Sequence, residues 1–202
     1  MEKKTTNTDS DIWLSFKNGS QDAFHTVYLD HFKSLIQYGL RIINNEELVK
    51  DAIHDLFVKI WNNKSTLTDV AHIRSYLLVS LRMSLLNKVK QNNRIQLYEE
   101  VEQLPFEMEF SVESKFVQKE AHTLQQRMLI EALNQLSPRQ KEVIYLRYFE
   151  ELDYDTIASI MELTVKATYK LTARGIDALK AIMNISKPSI IILLAGLNYQ
   201  TV

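Results

Sequence analysis

The stretch "LDYDTIASIMELTVKATYKLTARG", Leu152 to Gly175, decides how the rest of the chain is read. Ile157, Ala158 and Met161 recur at helical spacing, and periodicity resumes after Thr164, so two short helices joined by a tight turn are predicted. Asp153 and Thr164 are N-cap residue types standing just before each helix. Ala158 is small where a second helix must cross closely, and Leu163 plugs the turn. The outward face of the second helix would then carry Lys166, Tyr169, Lys170, Ala173 and Arg174. This is the pattern of a helix-turn-helix, whose second helix lies in the major groove while flanking basic residues meet phosphates. An αα-hairpin with a solvated basic face gives the same pattern. Two residues depart from the motif. Glu162 occupies a turn where glycine usually supplies φ > 0, and Thr168 stands where an aliphatic residue would pack.

Working outward, the 202 residues suffice for one large domain or two small ones. Only four glycines and three prolines are present, and no run alternates between apolar and polar residues. An all-α fold is expected. The absence of cysteine excludes disulfides and thiolate metal sites and suits a reducing compartment. The five histidines lack the close helical spacing of a metal site, and no glycine-rich phosphate loop or nucleophile elbow occurs. No enzyme, metal or cofactor is therefore expected. The apolar run "SIIILLAGL", Ser189 to Leu197, is about half the roughly 20 residues that span a bilayer. It is expected to pack on a helix or fray rather than to insert into a membrane.

A formal charge of −1 creates no global field for nucleic acid, but the charges are segregated. Val70 to Tyr98 holds five basic residues and no acidic one, whereas Glu99 to Glu113 holds six glutamates and no basic one. Thr164 to Lys180 is basic again. The near-zero sum thus conceals two candidate DNA faces separated by an acidic strap.

The N-terminal half predicts several helices. Gly19 ends the first, and Ser20 caps the next, along which Gly39 would admit a close neighbour. In "EELVKDAIHDLFVKIWNN", Val49, Ala52, Ile53, Leu56, Phe57 and Ile60 form one apolar stripe. Asp51, His54, Asp55 and Val58 lie together on the opposite face. By themselves two aspartates there read as a solvated surface. A further helix carries Arg74, Arg82, Lys88 and Lys90. After the acidic strap, helical periodicity resumes from Lys115, and Ser137-Pro138 forms an N-cap and N1 pair.

Taken together, "FKNGSQDAFHTVY", "DAIHDLFVKIW" and "LSPRQKEVIYLRYFEELDYDTIASIMELTVKATYKL" resemble the extracytoplasmic-function (ECF) sigma factors, bacterial RNA polymerase initiation factors of the sigma-70 family. The resemblance runs from about Asp11 to Ile185 in the family's order. It implies a region-two domain over 11–91, an acidic linker over 92–114, a region-four domain over 115–185 and an apolar tail over 186–202. It implies that Asp51, His54, Asp55 and Val58 bind core RNA polymerase. Asn63, His72, Arg74, Tyr76, Arg82 and Lys88 would engage the minus-ten element of promoter DNA, whose unstacked bases are captured in a pocket. Arg139, Thr164, Lys166, Tyr169, Lys170 and Arg174 would meet the minus-thirty-five element. The linker would enter the polymerase channel later used by RNA. The resemblance also implies a cytoplasmic protein controlled by an anti-sigma factor, commonly membrane-anchored. Met83 and Ala167 stand where the family commonly has asparagine and threonine. With Glu162 and Thr168, they leave open a sigma-like decoy that binds an anti-sigma factor without starting transcription.

Overall fold

The computed structural model describes residues 8–92, 106–108 and 124–201, and every regular element among them is helical. The chain divides into two compact units, Met1–Leu97 and Tyr98–Val202.

In the N-terminal unit, α1 (Asp9–Lys17) starts from a capping box between Thr8 and Asp11. It stops before Gly19, whose φ of +88° a side chain would strain. The Ser20 hydroxyl accepts the Ala23 N–H at 3.2 Å and opens α2 (Gln21–Ile42). Asn45 likewise accepts the Leu48 N–H at 3.0 Å to open α3 (Glu46–Asn62). A 3-10 turn (Lys64–Thr66) and an irregular loop lead into α4 (Ile73–Asn92). The expected stripe of α3 is buried from Val49 to Ile60. Against it, α4 contributes Leu77, Leu78, Leu81 and Leu85, none of them exposed. Each such side chain stabilises the fold by roughly 1.5–3 kcal/mol relative to exposure. Aromatic rings join α1, α2 and α3: Phe16 lies 6.1 Å from Phe24, which lies 5.0 Å from Trp61 and 5.9 Å from Phe57. Gly39 lets α3 approach α2, since a Cβ there would fall 2.5 Å from Cγ1 of Val49.

The C-terminal unit holds α5 (Leu124–Asn134), α6 (Pro138–Tyr148), α7 (Tyr154–Met161), α8 (Val165–Met183) and α9 (Lys187–Thr201). Ser137 and Gln140 form the capping box of α6 with Pro138 in its first turn. The apolar tail is α9, which packs on α5, α6 and α8 and buries Ile190, Leu194 and Leu197. It is tied to α8 by an ion pair between Lys187 and Asp177 at 2.6 Å. Among the described residues no single helix is long and apolar enough to cross a membrane, although α8 and the adjoining part of α9, bent by 99°, meet that test together.

Phe106 and Met108, in the segment read as an acidic strap, are buried at 3% and 1% exposure. The Phe106 ring sits 5.6 Å from that of Tyr145 on α6. This part of the strap is core rather than a solvated spacer. The rest of the glutamate run, and the helical turns expected from Lys115, lie outside the described residues.

Candidate nucleic-acid interface

The helix-turn-helix forms because each of its joints is satisfied locally. Asp153 accepts the Thr156 N–H at 2.7 Å to start α7, and Thr164 accepts the Ala167 N–H at 3.2 Å to start α8. Between them Glu162 adopts φ 54° and ψ 47°, so the left-handed turn is kept without glycine. The N–H groups of Glu162 and Leu163 both donate to the Ala158 carbonyl, closing the end of α7. From α6, Arg139 Nη2 donates to the Met161 carbonyl at 3.2 Å. Arg139 is half-buried there, and its guanidinium braces the turn.

Thr168 is fully buried, and its misfit is absorbed by hydrogen bonding. Its hydroxyl donates to the Thr164 carbonyl at 3.1 Å, and that of Thr172 donates to the Thr168 carbonyl at 3.0 Å. Both threonines are thus buried with their hydroxyls paired inside the helix. Gly175, Ile176, Leu179 and Met183 continue that inward side. Opposite it, Lys166, Tyr169, Lys170, Ala173 and Arg174 are all exposed on one side of α8, and the N-cap Thr164 is exposed at its start. Tyr169 is also anchored: its ring stacks on that of Tyr154 at 3.7 Å, and the Arg147 guanidinium lies 5.1 Å from the same Tyr154 ring. Arg147 and Tyr154 carry no sequence signal for this role, which depends on α6, α7 and α8 meeting.

In the N-terminal unit, Asp51, His54, Asp55 and Val58 are exposed together on α3, Val58 at 44%. Asp55 is engaged across the helix pair: its carboxylate lies 2.7 Å from Lys88 Nζ on α4. The remaining DNA candidates divide by burial. Asn63 and His72 are exposed, and Arg74, Tyr76 and Lys88 are half-buried, with Arg74 Nη2 donating to Ser34 Oγ at 3.3 Å. Arg82 is a correction. At 6% exposure it lies inside the bundle, because α4 is covered on several sides and its charge does not mark a solvent face. It is withdrawn from the DNA contacts. Met83 is on the surface at 41% exposure.

Three residues that sequence reasoning missed reach the loop between the 3-10 turn and α4. Trp13 Nε1 donates to the Thr68 carbonyl at 2.9 Å, Lys17 Nζ pairs with Asp69 at 2.6 Å, and Asp9 accepts the Ile73 N–H at 3.2 Å. Asp9, Trp13 and Lys17 are four residues apart, and that spacing is the signal that could have found them.

Known proteins are similar to this chain in sequence and in fold. The family model described as Sigma-70, region 4 matches residues 126–179, which include α7 and most of α8. A curated relative, RNA polymerase sigma factor YlaC of Bacillus subtilis (strain 168), is 25% identical over 146 residues, covering 70% of this chain and 80% of that protein. Two solved structures share the fold. CnrH, in complex with the cytosolic domain of CnrY, gives a TM-score of 0.55 at 20% identity over 88% of this chain and 98% of that one. The sigma factor RpoE, in complex with the anti-sigma factor NepR from Bartonella quintana, gives a TM-score of 0.55 at 16% identity over 83% and 99%. Residues 126–179 thus match sigma-70 region 4, and over 70% of its length the chain is similar to an RNA polymerase sigma factor.

Proposed function

We propose that the chain is an RNA polymerase sigma factor of the extracytoplasmic-function type, not an enzyme, that divides its work among three surfaces. The exposed face of α3, with Asp51, His54, Asp55 and Val58, docks on core RNA polymerase. The segment from Asn63 to His72, with Arg74, Tyr76 and Lys88, opens and holds the minus-ten element as a single strand. The face of α8, with Thr164, Lys166, Tyr169, Lys170 and Arg174, reads the minus-thirty-five element. Arg139 acts there through the turn that it braces rather than on phosphate. Binding energy, not covalent chemistry, drives promoter opening, so no catalytic residue, metal or cofactor is assigned.

The observation that carries this reading is the outward row on α8. Its charges stand on a module whose inward positions are buried and whose left-handed turn is kept. Glu162 and Thr168 therefore do not argue for a decoy with a collapsed recognition helix. The related CnrH and RpoE structures each hold a partner, CnrY and an anti-sigma factor. We extend such control to this chain, as a cytoplasmic protein whose polymerase-binding surfaces an anti-sigma factor masks. The glutamate-rich segment suits a basic polymerase channel as an electrostatic stand-in for nucleic acid.

The test is transcription from a genomic fragment library with purified core polymerase, with RNA starts mapped and core binding measured alongside. Starts that depend on the protein and vanish in an Asp51→Lys, Asp55→Lys double variant are expected. Because Asp55 also holds Lys88, Asp51→Lys is assayed by itself as well. Core binding without specific starts would instead favour the decoy. A folded protein that bound no core would overturn the assignment of α3.

A further inference from the structure

The loop from Leu67 to His72 has no regular structure, yet its entrance, middle and exit are each tied to the same stripe of α1. Trp13 holds the entrance by donating to the Thr68 carbonyl, and its indole is only 1% exposed, which fixes the donor's direction. Lys17 holds the middle through Asp69, whose side chain is 86% exposed. Asp9 holds the exit by accepting the Ile73 N–H, the first N–H of α4, from 64 residues earlier in the chain. Trp13 also meets Tyr76, ring to ring at 5.2 Å, so the same stripe reaches the first turn of α4. The capping box of Thr8 and Asp11 fixes where α1 itself begins.

We infer that α1 is a brace that sets the shape of the strand-capturing loop, with Asp9, Trp13 and Lys17 as positioning residues for base selection. This rests on the minus-ten role proposed above for residues 63–72. Geometry matters here more than stability. An exposed ion pair such as Lys17–Asp69 adds little to folding. Two fixed points inside a six-residue loop and a third at the residue that follows it, however, restrict its backbone, and a pocket for an unstacked base depends on its walls staying in place. A purely structural α1 would need Trp13 and Phe16 in the core and no polar contact to the loop.

The test uses the full chain bound to core polymerase and a labelled non-template single strand of a promoter found by start mapping. Affinity is compared between the matched strand and one substituted at the base whose change costs the wild-type protein most. In an Asp9→Ala, Lys17→Met double variant, core affinity is expected to match wild type while the matched-to-substituted ratio falls roughly tenfold, about 1.4 kcal/mol. Lys17→Arg, which keeps the cation, is expected to retain the wild-type ratio, and Trp13→Phe to lose it in part. An unchanged ratio in the double variant would overturn the brace alone. A core affinity falling in step with the ratio would mean lost folding, and would overturn the positioning role. A wild-type complex that discriminated no base would remove the single-strand reading itself, and the brace with it.

Discussion

Glu162 holds φ 54° with a full side chain, a conformation that glycine adopts without strain. Glu162→Gly should therefore stabilise the C-terminal unit by about 0.5–1 kcal/mol, the relief being partly offset by a looser unfolded chain. Thermal unfolding of the two proteins would read this directly, and a lower midpoint for the glycine variant would show that the glutamate side chain contributes more than the strain costs. His31 supplies a pH signature in the other unit. Burial pushes its imidazole below the ordinary range, aided by the Arg74 charge and opposed by Asp9 and Asp30. The folded state thus binds fewer protons at this site than the unfolded state. Its stability is intact above about pH 6.5 and falls as the solution is acidified through the lowered folded value. Between pH 7.5 and 5.5, wild type should lose more stability than His31→Gln in paired melts. The local chemistry of single residues was the most legible layer: Ser20, Ser137, Asp153 and Thr164 all cap where their residue types predict. Thr168 was misjudged because its partner is a carbonyl four residues back, which exists only once the helix has formed.

At the scale of elements, α3 and α4 meet through a contact that two proposed functions share. The Asp55–Lys88 pair is exposed enough that it contributes at most about 1 kcal/mol. Lys88→Met should hence leave unfolding nearly unchanged while weakening single-strand binding. If the lysine meets one phosphate, the slope of log affinity against log salt should shrink by about 0.7. An unchanged slope in a salt titration would remove Lys88 from the interface. The packing of α9 is testable by ordinary core logic: Leu194, with no exposure, should cost about 2–5 kcal/mol when changed to alanine, measured by urea unfolding. Helix faces were legible in proportion to their amphipathicity. The stripe of α3 was read residue by residue, because its buried and exposed sides are distinct in the sequence. On α4, where leucines occupy 77, 78, 81, 85 and 86, a basic residue gives no clue to its side, and Arg82 proved to be interior. The contacts of α1 with the loop join residues 52 to 64 positions apart, beyond the reach of any local pattern.

For the whole molecule, charge placement matters more than charge. A net −1 gives the free chain no long-range attraction to DNA, while nine of its 24 basic residues fall in two stretches, 70–98 and 164–180, that hold almost no acidic residue. The free protein should bind promoter duplex only at the non-specific level, roughly 10⁻⁴–10⁻⁶ M at physiological salt. Core polymerase should convert that into site-specific protection, and footprinting with and without core would show it. Equal protection by the free protein would contradict a division of labour in which polymerase delivers the factor to DNA. The segregation of charge along the chain was legible directly in the sequence. The burial of Phe106 and Met108 was not, since two apolar residues among glutamates show no periodicity and their environment includes Tyr145, far along the chain.

The threonine ladder inside α8 has a bearing on how such a protein could change over generations. Capping and core contacts are supplied by Thr164, Thr168, Thr172, Gly175 and Ile176, whereas Lys166, Lys170, Ala173 and Arg174 stand outside that framework. Exposed replacements of that kind usually shift stability by no more than about 0.5 kcal/mol. Tyr169, stacked on Tyr154, is the exception. Four letters of the proposed reading face can therefore be rewritten while the scaffold stays folded, so, if that face selects promoters, a duplicated copy could drift to a new set without first passing through an unstable intermediate.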